Sequence, residues 1–198
     1  LKSRPFRDFD YLRYNLSFRA LPGELYRWLS DSREHPFFLF LHGCDAHEPH
    51  VLGAQYDAKR FNPDYTGPLP SSDPELQQRF ETDNKDGLRH TVFYADQLNR
   101  LKTPQGRLAN ADLAHLKAVY DAQIYYLDQG LGGLFTALNN LDLTDRTVII
   151  ILSDHGQAFG EHGEYATHAQ LYDEIIRTAL IIKDPRRRLQ GARIPNVV

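Results

Sequence analysis

The chain has 198 residues, 41% of them hydrophobic and 25% charged, and a formal net charge of -3 from 23 basic and 26 acidic side chains. That length fits one domain or a large piece of one, and the composition excludes disorder as the main state. The charge balance lacks the basic excess of a nucleic-acid binder, and the single cysteine, Cys44, excludes an internal disulfide.

In chain order, Leu21 to Asp31 reads as a short helix. Pro36 to His42 is a continuous apolar run ending at Gly43, which predicts a strand buried on both faces. Tyr56 to Asp73, rich in proline, glycine, Asn62 and Asp64, reads as a long surface loop. Glu75 to about Leu101 is expected to be helical in part, with interruptions at Asp83-Asn84 and Gly87. Apolar residues at 113, 116, 120, 124, 127, 131, 134 and 138 recur at steps of three and four, as on one face of a helix. Asp112 is placed to cap its start and Asn139-Asn140 to end it. After a short loop, Thr147 to Leu152 is β-branched and apolar throughout, a second central strand, and Ala179 to Ile182 is a third. Strands apolar on both sides call for helices on both faces of a mostly parallel sheet. No run of about 18 apolar residues spans a membrane.

The nine histidines are clustered. His42, His47 and His50 follow the first strand, and His155, His162 and His168 follow the second. Such positions, at the C-terminal ends of buried strands, are where α/β proteins bind ligands. The sharpest element is Ser153-Asp154-His155-Gly156. A carboxylate and an imidazole on rigid backbone offer one oxygen and one nitrogen to a divalent ion, and Gly156 lets the chain turn behind them. The plain alternative is that Asp154 caps a turn and His155 is merely polar.

Taken in series, Ser153-Asp154-His155-Gly156, Phe159-Gly160-Glu161-His162-Gly163, His168, Leu171-Tyr172-Asp173-Glu174 and Arg177 closely resemble the C-terminal half of the sulfatase catalytic domain. Sulfatases belong to the alkaline-phosphatase-like superfamily. Phe37 to His42 followed by Asp45-Ala46-His47-Glu48-Pro49, and the helix carrying Tyr120-Asp121 and Tyr126-Leu127-Asp128, are similar to earlier parts of that domain. The resemblance covers roughly Pro36 to Ile182. It implies an alkaline-phosphatase-like α/β fold, with a mostly parallel central sheet and helices on both faces. Residues 1–198 would be a fragment of one such domain, cut at both ends. The region holding an aspartate pair and the nucleophile, in a Cys- or Ser-x-Pro-x-Arg motif, is expected upstream, so no nucleophile is expected in this chain and the fragment alone is expected to be inactive.

The resemblance further implies that Asp154 and His155 are metal ligands and that His47 and His168 act on the ester group. One divalent ion is implied. Calcium is commonest in the family, and His155 favours manganese or zinc, because imidazole suits those ions better. His162 is expected to orient the ligands by hydrogen bonds, and Asp45 either to orient His47 or to shape its own loop. His50, Lys59 and Arg60 are candidates for substrate contact, His50 equally an exposed side chain. His42 reads as structural, and His35 and His90 as surface residues. Cys44 reads as a small buried residue, not a nucleophile. The implied activity is metal-dependent hydrolysis of a sulfuric ester through a formylglycine. The alternatives are a phosphodiesterase, phosphonate monoester hydrolase or phosphoglycerol/phosphoethanolamine transferase of the same superfamily, and a non-catalytic binding relative. The expected partner is a small-molecule or carbohydrate sulfate or phosphate ester. The resemblance points to a periplasmic, secreted or lysosomal protein.

Overall fold

The structure, a computed structural model, describes residues 18, 21, 23–47, 57–69, 98–186 and 191–193. His50, His90 and most of the Glu75–Leu101 reading lie outside these residues.

Helix α1 runs from Gly23 to Ser32 and buries Leu25 and Leu29, one turn apart on the same side. Full burial of each contributes about 1.5–3 kcal/mol. Residues 36–42 follow as extended chain. Phe37, Leu39 and Leu41 alternate inward against the cluster of Leu25, Leu29, Leu134 and Leu138, and Phe37 meets Trp28 edge to face at 5.4 Å. Phe38 and Phe40 point the other way and are 88% and 72% exposed. The run was expected to be a strand buried on both faces. Among the described residues it joins no ladder and buries one face only.

Helix α2, Asn110–Asn140, is the spine. Its start has no side-chain cap. Asp112 instead accepts a hydrogen bond from the Tyr65 hydroxyl at 2.5 Å, which ties residues 57–69 to the helix. Two different faces are buried. The first half buries His115, Leu116, Val119 and Ala122 against Ala58, Leu69, Leu98 and Leu108, while the second buries Leu134 and Leu138 against α1. The 57–69 segment is therefore more than a surface loop, since Ala58 and Leu69 lie in the core. The helix closes with a Schellman motif. Leu143 N–H donates to Leu138 O at 2.9 Å and Asp142 N–H to Asn139 O at 3.0 Å. Asp142, at φ 55°, takes the left-handed position.

A 3₁₀ turn at Thr144–Arg146 leads into strand β1, Ile149–Leu152. Strand β2, Leu180–Lys183, pairs with it antiparallel, from Ile149 opposite Lys183 to Leu152 opposite Leu180. The sheet was expected to be mostly parallel, but this pair is antiparallel. Parallel neighbours need a crossover, usually a full helix, and the link between these strands holds only the four-residue helix α3, Asp173–Ile176. On one face of the ladder, Ile149, Ile151 and Ile181 line an apolar groove of about 320 Å³ with Phe135 and Leu138. On the other, Ile150, Leu152, Leu180 and Ile182 are all more than half exposed. Among the described residues no helix is long and apolar enough to cross a membrane.

Candidate functional site

Strand β1 delivers Ser153, Asp154 and His155 at its C-terminal end. The chain then folds back on itself. Ala158 N–H donates to Thr167 O at 3.1 Å, Ala166 N–H donates to Ala158 O at 2.9 Å, and Phe159 bridges Tyr165. Gly160 and Gly163, at φ 98° and 81°, make the turn, which glycine reaches without steric cost. Tyr165 anchors the hairpin in the core, where its hydroxyl accepts the Leu108 N–H at 3.1 Å. The returning arm brings His168 opposite His155. Their rings stack with centroids 4.1 Å apart and 16° between planes.

The third histidine arrives from the other segment. A turn after residue 44, in which His47 N–H donates to Cys44 O at 3.1 Å, swings His47 across the end of β1. Its ring lies 5.0 Å from that of His168 and 6.2 Å from that of His155. One nitrogen from each of His47, His155 and His168 lies within 4.8 Å of the others, and all three residues are partly buried.

Two donor sets are thus available to a cation. Asp154 Oδ1 and His155 Nε2 lie 3.7 Å apart. Donors about 2.1 Å from one ion and 90–120° apart are separated by about 3.0–3.6 Å, so this pair needs little adjustment. The His155 tautomer agrees. Its Nδ1 is 2.7 Å from Gly156 O, and a carbonyl only accepts, so Nδ1 carries the proton and Nε2 keeps its lone pair. The three-histidine set fits less well. Imidazole donates in its ring plane, and two nearly parallel rings 4.1 Å apart cannot both aim at one ion. The Asp154–His155 pair is the better donor set, with His47 and His168 beside it. Burial, then the charges of Asp154 and Asp45, push the Cys44 thiol up, so it stays protonated at neutral pH.

The remaining expected residues make contacts of their own. Asp45 Oδ2 accepts the Phe18 N–H at 3.1 Å, so this carboxylate shapes its loop. His162 stacks on Tyr172, 3.5 Å between centroids and 5° between planes, and donates from Nδ1 to Glu174 Oε1 at 2.7 Å. Arg60 lies over the Tyr125 ring on α2 at 4.2 Å. Lys59 donates its backbone N–H to Asp57 Oδ1 at 2.9 Å within the 3₁₀ turn. Neither of these contacts reaches toward the histidine cluster, and His50 lies outside the described residues. His42 is exposed and lies beside Phe40.

Two features escaped the sequence reading. His115 is fully buried and stacks on Tyr65 at 3.8 Å; its place next to Leu116 on the periodic face was the available signal. The order Ser-x-Pro-x-Arg also occurs in this chain, at Ser3-Arg4-Pro5-Phe6-Arg7, outside the described residues.

Comparison with known proteins places the chain. The Sulfatase family profile matches residues 6–197, so the chain belongs to the sulfatase family. Human iduronate 2-sulfatase is 36% identical over 87 residues, which cover 44% of this chain and 16% of that protein. The multifunctional alkaline phosphatase superfamily protein PehA of Trinickia caryophylli is 28% identical over 165 residues, 80% of this chain and 30% of that one. Among solved structures, the phosphonate monoester hydrolase of Silicibacter pomeroyi superposes with a TM-score of 0.50 at 21% identity, covering 81% of this chain and 32% of that chain. That likeness shows a shared fold. The matched stretches span a third or less of the length of these three relatives.

Proposed function

We propose that this chain forms one wall of a metal-dependent sulfuric ester hydrolase site. Asp154 Oδ1 and His155 Nε2 hold a divalent cation, and His47 and His168 take the ester group. The observation that carries this reading is the convergence of His47, His155 and His168 within 4.8 Å, next to a carboxylate oxygen 3.7 Å from His155 Nε2. A cation bound there supplies positive charge to the ester oxygens and lowers the pKa of the attacking group. The chain's own residues do the rest. Gly156 O holds the His155 tautomer. His47 and His168 approach from two separate segments and bracket the ester. Either one, as imidazolium, stabilises negative charge or protonates the leaving oxygen. The imidazole ligand favours manganese or zinc over calcium.

The nucleophile in this proposal is a formylglycine supplied from sequence outside the 198 residues. Ser3 is the competing candidate within them, and the family match beginning at residue 6 speaks against it. Ser3→Ala is expected to retain full activity in the full-length protein. The exposed outer face of β1 and β2 supports the rest of the proposal, in which this chain is part of a larger, mostly parallel sheet with helices on both faces. A second reading keeps the site and changes the bond. The fold is shared with a phosphonate monoester hydrolase, so a phosphate or phosphonate ester is the alternative substrate.

The test is metal content of the full-length protein. Asp154→Ala and His155→Ala are each expected to lose most bound metal and hydrolysis of an aryl sulfate. Full occupancy in both variants would refute the ligand assignment. Rates on paired aryl sulfate and aryl phosphonate esters decide between the two bonds.

A further inference from the structure

The ligand pair is held from both sides by one short stretch of chain. Ahead of it, Ser153 N–H donates to Ala179 O at 3.0 Å, and Ser153 Oγ accepts the Ala179 N–H at 2.8 Å. Behind it, Gly156 N–H donates to Ile175 O at 2.6 Å and Gln157 N–H to Glu174 O at 3.0 Å. Asp154 and His155 therefore hang between two anchor points, both on residues 174–179. The fit leaves no slack, since a Cβ added at Gly156 would run into the carbonyl oxygen of Glu174. Wherever α3 sits, the ligand pair follows.

Helix α3 has four residues and buries one side chain, Ile175. That is too little to fix its own position. Besides the main-chain bonds just named, what docks it is the contact of Glu174 with His162 at 2.7 Å, backed by the face-to-face stack of His162 on Tyr172. His162 sits between Gly160 and Gly163, at the tip of the same hairpin that returns His168 to the site. One side-chain contact thus ties the arm carrying His168 to the cradle under Asp154 and His155.

We propose that His162 and Glu174 are positioning residues that set the Asp154–His155 geometry through the backbone of residues 174–179. This rests on the ligand assignment above and adds residues that do not themselves touch the ion. The carboxylate of Glu174 is held below its usual range, first by its own backbone N–H and then by His162, so it is the ionised form that accepts from the ring. Partners that orient metal ligands are typically worth about 10–100-fold in affinity, and a contact on an exposed rim contributes little to global stability.

The experiment titrates Mn²⁺ into the full-length protein by calorimetry, with melting curves on every variant. His162→Ala and Glu174→Ala are each expected to weaken Mn²⁺ binding by about 10–100-fold while the melting temperature stays near that of the parent. Glu174→Gln keeps an acceptor oxygen and is expected to recover most of the affinity. If His162→Ala and Glu174→Ala bind as the parent does while Asp154→Ala does not, the positioning role is wrong and the ligand assignment stands. If Asp154→Ala also binds as the parent does, the ligand assignment itself fails. Should Glu174→Ala not fold, His162→Ala against Glu174→Gln decides the matter. Equal weakening of both by 10-fold or more also overturns the proposal, because the retained oxygen would then have no effect.

Discussion

Two histidine–tyrosine stacks in this molecule are built from nearly the same parts. His115 lies on Tyr65 at 3.8 Å and 8°, and His162 lies on Tyr172 at 3.5 Å and 5°. Each has a carboxylate at hand, but it bonds to different partners. Asp112 takes the Tyr65 hydroxyl, whereas Glu174 takes the His162 ring. His115 is fully buried, and its stack joins a loop to the second turn of a long helix. His162 is exposed, and its stack joins a loop tip to a four-residue helix that is otherwise held by main-chain bonds to residues 156 and 157 and by the burial of Ile175. Like chemistry in the two settings has different consequences. Inside, the contact is one of many and contributes to stability. On the rim it is one of few and sets geometry.

The largest expected effect breaks the inner stack. His115→Ala removes a fully buried ring and leaves a cavity between α2 and residues 57–69, a loss of about 3 kcal/mol. Chemical denaturation should show it as a lower midpoint at unchanged slope, and Mn²⁺ affinity of the folded protein should stay within error of the parent. A fall in affinity as large as that of His162→Ala would erase the distinction between the two stacks. Gly156→Ala comes next and acts on the rim. The new methyl group meets backbone rather than a side-chain end, so α3 must shift, at a cost of about 1–3 kcal/mol. Metal binding should suffer more than stability does, the reverse of His115→Ala.

The same contrast explains what the sequence made legible. The run from Thr147 to Leu152 and the Asp154-His155 pair are local signals, carried by adjacent residues, and β1 appears within that run, at Ile149–Leu152, with the pair just after it. The return of His168 was foreshadowed by Gly160 and Gly163, whose positive φ makes the hairpin. His115 was not singled out, because its burial depends on Tyr65, fifty positions away across a loop whose composition reads as surface. The anchors under Asp154 and His155 are main-chain hydrogen bonds to residues 174–179, and main-chain bonds leave no mark on residue identity. The antiparallel pairing was missed for a different reason. Apolar content on both faces suggested parallel strands, yet the absence of a long helical pattern between Leu152 and Leu180 already argued against a crossover. Charge near a long loop suggested substrate contact for Lys59 and Arg60, and the contact of Arg60 with Tyr125 depends on a residue 65 positions away that no local signal marks.

The smallest effect sharpens the comparison through pH. Burial, and then the hydrogen bond to Asp112, push the Tyr65 phenol up from 10 to about 12. A raised pKa in the folded state means that folding favours the protonated phenol. Its contribution is therefore complete below pH 10 and is lost as pH rises through 12. Tyr65→Phe deletes the hydroxyl, which also accepts the Leu69 N–H at 3.1 Å, and should cost about 1 kcal/mol at neutral pH. The variant should also lose less stability than the parent between pH 10 and 12, so the gap between them narrows with pH. In the His162 stack the carboxylate bonds the imidazole and not the phenol. Parallel melting curves for the parent and Tyr65→Phe across that window test the point. If the parent and Tyr65→Phe decline with the same slope, the bond to Asp112 does not hold the inner stack, and the difference between the two settings rests on burial alone.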